Sequence, residues 1–333
     1  MRSSEVQEGR GEIEAIRRCR VVYREASCVP QARHFSQVKA SRRRGKSWMG
    51  AAPGAYNING IEFYDKVSFL KAGIVYASHL TTVSETYAHE ITSCEFGCGL
   101  EGILRIRAEQ QQLTGILNGI DESWDPRTCR ELVSPFEPGD WKGKRANADY
   151  IRRKFRLALS RGPLFGIVAR LVHQKGVDLV LSTAETIVAA GGQIVAMGNG
   201  EAHLEQGLKD ISQRFPEAIG VSIGFDDAEA RRLFAGSDFT FMPSRFEPCG
   251  LSQMYAQRFG SLPIGHSTGG LAETIEDGRT GFLFRQPSVE AFLGGVCRAF
   301  STFGSRAKLN AMRRNAMARA FSWEGSANSY AAL

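Results

Sequence analysis

Long hydrophobic runs are absent from this 333-residue chain. No apolar stretch approaches the roughly 18 residues needed to cross a bilayer, so no membrane-spanning helix is expected. Cysteine pairs at metal-binding spacing are missing too. The seven cysteines, at positions 19, 28, 94, 98, 129, 249 and 297, include no CxxC, and Cys94 and Cys98 have no second cluster to complete a zinc site. Such scattered cysteines predict reduced thiols rather than a disulfide framework. Most of the chain also lacks an excess of either charge. Of 42 Lys/Arg and 35 Asp/Glu in all, 12 and 5 lie in residues 1–53, which leaves 30 of each in the other 280. The overall +7 therefore belongs to the N-terminal stretch and is densest at Arg42-Arg43-Arg44-Gly45-Lys46. No aromatic interleaving or recognition motif accompanies those cations, which argues against a nucleic-acid partner. Five glutamates among the first 25 residues argue against a transit peptide, and there is no apolar h-region for a secretory signal. Residues 1–53 are read as a basic, poorly ordered leader.

What remains is ordinary globular material, 43% hydrophobic and 23% charged. Composition shifts near Gly50–Gly54, and residues 56–142 read as mixed helix and loop. From Pro163 onward a regular alternation sets in. Apolar runs of strand length fall at Leu164–Ala169, Gln193–Met197, Ile219–Ile223, Phe239–Met242, Leu262–Ile264 and Gly281–Phe284. Helical spacing lies between and after them, at Val177–Ala190, Ala202–Phe215, Ala228–Phe234, Leu251–Arg258, Leu271–Glu276, Val289–Phe300 and Arg306–Ala320. Strands alternating with helices predict βαβ units, a parallel sheet and ligands at the strand C-termini. The expected fold is α/β, with one complete Rossmann-like lobe. Residues 54–150 are too short and irregular for a second.

Three turns at strand ends could carry chemistry. Ala169–Gly176 places Arg170 and Lys175 where a strand gives way to a helix. Two cations there suit a diphosphate, and a solvated basic turn remains the competing reading. His173 between them reads as structural or solvent-facing. In Glu247-Pro248-Cys249-Gly250-Leu251 the carboxylate could cap the following helix or hold sugar hydroxyls with help from the Cys249, Gly250 and Leu251 amides. Cys249 as a nucleophile is disfavoured because no base partners it. Thr268-Gly269-Gly270-Leu271 offers glycine N–H groups at a helix start, a candidate phosphate cradle. The dinucleotide fingerprint at Gly198-Asn199-Gly200 is incomplete, because residue 203 is His.

The order of these turns resembles the retaining GT-B glycosyltransferases, specifically the bacterial glycogen synthase and plant starch synthase family (glycosyltransferase family 5). The blocks that carry the resemblance are Gly60–Ile91, Glu95–Gly102, Asn118–Asp121, Arg170–Gly176, Pro243–Gly260, Thr268–Leu271 and Phe321–Glu324. Many retaining relatives place a second Glu eight positions after the first; here that position is Tyr255, as in the starch synthase type.

The resemblance implies transfer of glucose from ADP-glucose to the non-reducing 4-OH of an α-1,4-glucan, with retention. It assigns Arg170, Lys175 and Glu247 as catalytic. Phe225 would lie against adenine, and Cys249, Gly250, Leu251, Thr268, Gly269, Gly270 and Leu271 would bind donor. Phe225 as a buried core residue stays open. No metal and no cofactor are implied, and the partners would be ADP-glucose and glucan, with no nucleic acid or membrane. A bacterial cytoplasm is expected ahead of a plastid. Family members also carry a Lys-Thr-Gly-Gly-Leu loop in an N-terminal lobe, and residues 1–53 contain none. The implied organisation is an unrelated leader (1–53), the tail of an acceptor-side lobe (54–150), a nucleotide-sugar lobe (151–320) and a returning C-terminal helix (321–333). A truncated transferase is thus the leading reading. A non-catalytic ADP-glucose or glucan-binding module and a transferase using another nucleotide sugar remain open beside it.

Overall fold

The computed structural model describes residues 54–333 and two short strands before them, β1 (Val21–Val22) and β2 (Gln37–Lys39). The rest of the expected leader lies outside the described residues. The chain divides into two compact units, Met1–Leu117 and Asn118–Leu333.

In the first unit follow β3 (Glu62–Phe63), β4 (Lys66–Ser68), α1 (Phe69–Tyr76), β5 (Leu80–Thr82), α2 (Glu85–Glu90), α3 (Glu101–Glu109) and β6 (Leu113–Gly115). Strands β1, β5 and β6 form one small parallel sheet, and β2, β4 and β3 form an antiparallel one. Serines start two of the helices: Lys71 N–H donates to Ser68 Oγ at 3.1 Å and Tyr87 N–H to Ser84 Oγ at 2.9 Å. Each serine satisfies a donor that the first helical turn would otherwise leave bare. Ile74, Leu80, Tyr87, Ile91 and Leu104 form the core beneath.

The second unit runs α4 (Lys142–Lys154), β7 (Leu164–Val168), α5 (Val177–Ala189), β8 (Gln193–Gly198), α6 (Ala202–Arg214), β9 (Ile219–Ile223) and α7 (Asp227–Gly236). It continues with β10 (Phe239–Met242), α8 (Ser252–Arg258), β11 (Leu262–His266), α9 (Gly269–Thr274), β12 (Phe282–Phe284), α10 (Val289–Gly304), α11 (Arg306–Met317) and α12 (Trp323–Ala331). Its six strands are all parallel, in the order β12-β11-β10-β7-β8-β9. Helices cover both faces, so β7, β8, β10 and β11 are buried throughout and their sequences read as apolar runs rather than alternations. Aromatic rings hold the middle: Phe165 stacks on Phe241 at 4.7 Å and Phe292 meets Phe241 edge-on at 5.0 Å.

The chain leaves β7 toward β8 and β9, then returns to the other side of β7 to lay down β10, β11 and β12. The strand order therefore reverses between β7 and β10. A crevice opens at the C-terminal ends of two such strands, where parallel α/β sheets bind ligands.

Two expectations need correction. Residues 118–150 belong to the second unit, not to a preceding lobe. Trp124 stacks on Tyr255 at 3.6 Å and lies under the Arg231 guanidinium at 4.0 Å, while buried Lys144 on α4 donates to Ala235 O (2.9 Å) and Phe259 O (2.8 Å). These long-range contacts set the boundary, and composition does not record them. Residues 321–333 bond back to the same segment, with Ile120 N–H donating to Phe321 O at 2.7 Å. Secondly, Cys98 is disulfide-bonded, whereas Cys94, Cys129, Cys249 and Cys297 are free thiols. Disulfide formation depends on how close two Cα atoms come, which sequence spacing does not reveal. Among the described residues no helix is long and apolar enough to cross a membrane.

Candidate active site

A cavity of about 180 Å³ opens at the β7–β10 switch point. Ala169, Arg170 and Lys175 line it from the β7 side, and Met242, Pro243 and Ser244 from the β10 side. Lys175 ends a single 3₁₀ turn, His173–Lys175, closed by Gly176 at φ +68°. A Cβ at Gly176 would come within 2.0 Å of Pro243 O, so only glycine lets the two strand-end loops pack this closely.

The centre of the site is an ion pair. Lys175 Nζ donates to Glu247 Oε2 at 2.6 Å, and Ser244 Oγ donates to the same oxygen at 2.9 Å. The Glu247 side chain is 3% exposed, which makes this a desolvated carboxylate held by one cation and one hydroxyl. Helix capping, one of the roles open to Glu247, is excluded: α8 is entered through Leu251 with no side-chain cap. Arg170 is exposed, and its guanidinium touches only Gln174 Oε1, at 3.4 Å, among the described residues.

Neighbouring groups lock the two loops together. Arg245 makes a two-pronged contact with Asp178, at 2.8 and 2.7 Å, and also donates to His173 O at 2.7 Å. The hydrogen bonds from Arg245 hold the Asp178 carboxyl below its ordinary pKa, against the opposing pull of burial. Gln174 Nε2 donates to Phe246 O at 3.1 Å. His266, buried at the end of β11, places Nδ1 2.9 Å from Ser244 O and Nε2 3.1 Å from Arg285 O. Both acceptors are carbonyls, so the ring donates to both only when doubly protonated.

The Thr-Gly-Gly turn differs from expectation. Thr268 N–H donates to His266 O (2.9 Å), Gly270 N–H to Glu247 O (3.0 Å) and Leu271 N–H to Thr268 O (3.0 Å). Those three donors are engaged within the chain and do not form a row of bare amides. The glycines serve contact instead. A Cβ at Gly269, where φ is +41°, would lie 2.0 Å from Glu247 O, and one at Gly270 would lie 1.9 Å from Cys249 O. The turn thus nests against the Glu247–Cys249 backbone and supports it.

Gly250 takes φ +69°, and Gln253 Nε2 donates to Cys249 O (3.0 Å), Gly250 O (2.8 Å) and Thr274 Oγ1 (3.0 Å), which fixes both turns. The amides of Gly250 and Leu251 donate to no acceptor among the described residues and stay available. Cys249 is buried. Phe225 is 67% exposed, which rules out its reading as a core residue. It follows Gly224, whose N–H donates to Gly198 O at 2.9 Å, so its loop stands beside the β8 turn. Tyr255 is half-buried under Trp124, and burial raises its phenol pKa.

The structure brings Arg170, Lys175 and Glu247 to one crevice, whereas Ser244, His266, Gln174, Gln253 and the Arg245–Asp178 staple were not singled out by the sequence. Small polar residues beside a strand end were the only available signal, and it is weak. Among the described residues no cluster of three or more His, Cys, Asp or Glu is arranged to hold a metal.

A parallel six-stranded sheet covered by helices on both faces, with a crevice at its strand switch point, defines a Rossmann-like lobe of GT-B type. The family description "Starch synthase catalytic domain" matches residues 34–106, and "Glycosyl transferases group 1" matches residues 151–317. Glycogen synthase 1 of Bradyrhizobium diazoefficiens is 70% identical over 285 residues, 86% of this chain and 62% of that protein. The glycogen synthase of Pseudomonas savastanoi is 55% identical over 285 residues, 86% of this chain and 59% of that protein. The catalytic domain of starch synthase IV from Arabidopsis thaliana, bound to ADP and acarbose, superposes with a TM-score of 0.79 at 33% identity, covering 84% of this chain and 60% of that one. Sucrose-phosphate synthase from Thermosynechococcus elongatus shares the fold, at a TM-score of 0.57 and 19% identity, over 79% of this chain and 59% of that one. The chain belongs to the group 1 glycosyltransferases and, within them, to the glycogen synthase and starch synthase family. It spans about three-fifths of the length of the curated relatives it matches, 62% and 59%.

Proposed function

We propose that this chain carries the donor half of a glycogen synthase site, which transfers glucose from ADP-glucose to the 4-OH of an α-1,4-glucan with retention. The observation that carries this reading is the Lys175–Glu247–Ser244 cluster beside exposed Arg170 at the β7–β10 crevice. The ADP and acarbose held by the related Arabidopsis starch synthase support the nucleotide and the glucan. Retaining transfer builds positive charge on the glucose ring and negative charge on the departing diphosphate. Arg170 and Lys175 supply cations where the diphosphate leaves, and fixed charges of this kind are worth roughly 3–4 kcal/mol each in a water-poor site. The Glu247 carboxylate is the acceptor for sugar hydroxyls, with the Gly250 and Leu251 amides as donors across the turn. Exposed Phe225 offers a face for adenine.

The test is transfer of radiolabelled glucose from ADP-glucose to glycogen, run in parallel with UDP-glucose. ADP-glucose-dependent transfer that falls about 10²–10³-fold in Arg170→Ala supports the reading. Saturable ADP binding without transfer would reduce it to a binding module. Preference for UDP-glucose would reassign the donor.

A further inference from the structure

The larger cavity lies at the other end of the sheet. Its volume is about 640 Å³, and its lining includes Gly162, two residues before β7, and Asp238, immediately before β10. The candidate active site lies beyond the C-terminal ends of those strands. Five residues of β7 therefore separate the two cavities, roughly 17 Å at about 3.3 Å per residue.

Charge sets this cavity apart. Lys144, Arg145, Arg152, Arg161, Arg306 and Arg313 line it against only two carboxylates, Asp149 and Asp238. The chain outside residues 1–53 has no net charge, so this is a local concentration of cations. Asp238 is already committed to Arg313 and, at 2.9 Å, to the Leu164 N–H. Asp149 stands 4.0 Å from Arg152. Arg145, Arg161 and Arg306 are exposed and have no carboxylate partner among the described residues.

Two buried groups sharpen the case. The Nε of Arg313, on a side chain 8% exposed, has no hydrogen-bond partner. Lys144 is fully buried; burial first, and the nearby Arg313 guanidinium second, push its ammonium well below the ordinary lysine pKa. Both would be relieved by an anion. The cavity also receives the start of α11, which has neither a side-chain cap nor an acidic residue in its first turn.

We infer that this cavity, between α4, α11 and the Ser160–Gly162 loop, is a binding site for a small phosphate-bearing metabolite, separate from the donor site. Its size suits a sugar phosphate or a diphosphate, since small-molecule pockets run to about 300–1,000 Å³. Planar guanidinium groups are the side chains best matched to phosphate oxygens.

The probe is inorganic pyrophosphate, titrated calorimetrically into the full chain, with ribose 5-phosphate as a second ligand. With the donor site filled by saturating ADP, expected is one-site binding that weakens about ten-fold or more in the Arg145→Ser/Arg306→Ser double variant and holds within about two-fold in Arg170→Ala. Both replaced side chains are exposed, so an unchanged thermal midpoint verifies folding, and Arg306→Lys should retain part of the affinity. Tighter binding of ribose 5-phosphate would mark an organic phosphate as the ligand, and tighter pyrophosphate an inorganic or diphosphate one. Loss of binding in Arg170→Ala with retention in the double variant would overturn the inference, because the anion would then occupy the donor site. Absence of pyrophosphate binding would overturn it too, as would affinity only for a long polyanion such as heparin, which would mark a solvated basic face.

Discussion

Lys175 and Arg170 line the same cavity but should respond differently to removal. Lys175→Met takes the ion-pair partner from a carboxylate whose side chain is 3% exposed, leaving Glu247 with the Ser244 Oγ hydrogen bond among the described residues. Breaking a buried pair on one side costs about 3–5 kcal/mol, and because Lys175 itself is 16% exposed the lower end, about 3 kcal/mol, applies. For a unit of this size each kcal/mol moves the thermal midpoint by about 2–4 °C, so the variant should melt roughly 6–12 °C lower. Arg170→Ala leaves no buried charge behind and should stay within about 0.5 kcal/mol of wild type. Glu247→Gln in the Lys175→Met background removes the stranded charge and should recover part of the loss, giving a coupling of about 1–3 kcal/mol in the double-mutant cycle. Thermal and urea unfolding of wild type, the three single variants and the double variant measures this. Equal destabilisation by Arg170→Ala and Lys175→Met, or strictly additive effects of Lys175→Met and Glu247→Gln, would refute the reasoning. Lys175 is therefore structural as well as a proposed catalytic cation, so any loss of turnover in its variants has to be separated from unfolding.

Gly269→Ala should destabilise by about 2–4 kcal/mol in urea, because an added Cβ meets Glu247 O at 2.0 Å in a left-handed backbone conformation; a neutral result would show that the two turns do not nest. Asp178→Asn should cost no more than about 1 kcal/mol near neutral pH, given the exposure of the pair. The Asp178 carboxyl pKa is lowered in the folded state, so its contribution is complete above the unfolded value, about 3.9, and is lost as pH falls through the folded value. Wild type and Asp178→Asn should thus converge in urea midpoint at acid pH, and a constant gap would disprove the linkage. Phe225→Ala should weaken ADP about ten-fold through lost stacking while leaving the melting midpoint unchanged, since the ring is 67% exposed; equal ADP affinity would remove Phe225 from the site.

The strands were legible because both faces of the sheet are covered. Leu164–Val168 and Phe239–Met242 have no solvent side, so they appear as unbroken apolar runs that can be located without a partner. Helix ends were less legible. The helix expected at Leu271 begins at Gly269, and the one expected to stop at Phe300 runs on to Gly304, because caps and tertiary contacts set those limits. Arg170, Lys175 and Glu247 could be named because each stands just past a strand end, but their unequal burial could not.

Local periodicity and turn chemistry in the sequence alone determined the parallel α/β lobe, the order of its strand-end turns and the residue types at its crevice. Those properties depend on neighbours a few positions apart, which a linear sequence records. Only the tertiary structure decided that Lys175 pairs with Glu247 across 72 residues, that the Thr-Gly-Gly amides are engaged inward, and that residues 118–150 belong with the second unit. It also gathered six cations from three separate segments into one cavity. Each of these depends on which distant side chains share a desolvated space, and there a charge or an amide finds a partner or goes without.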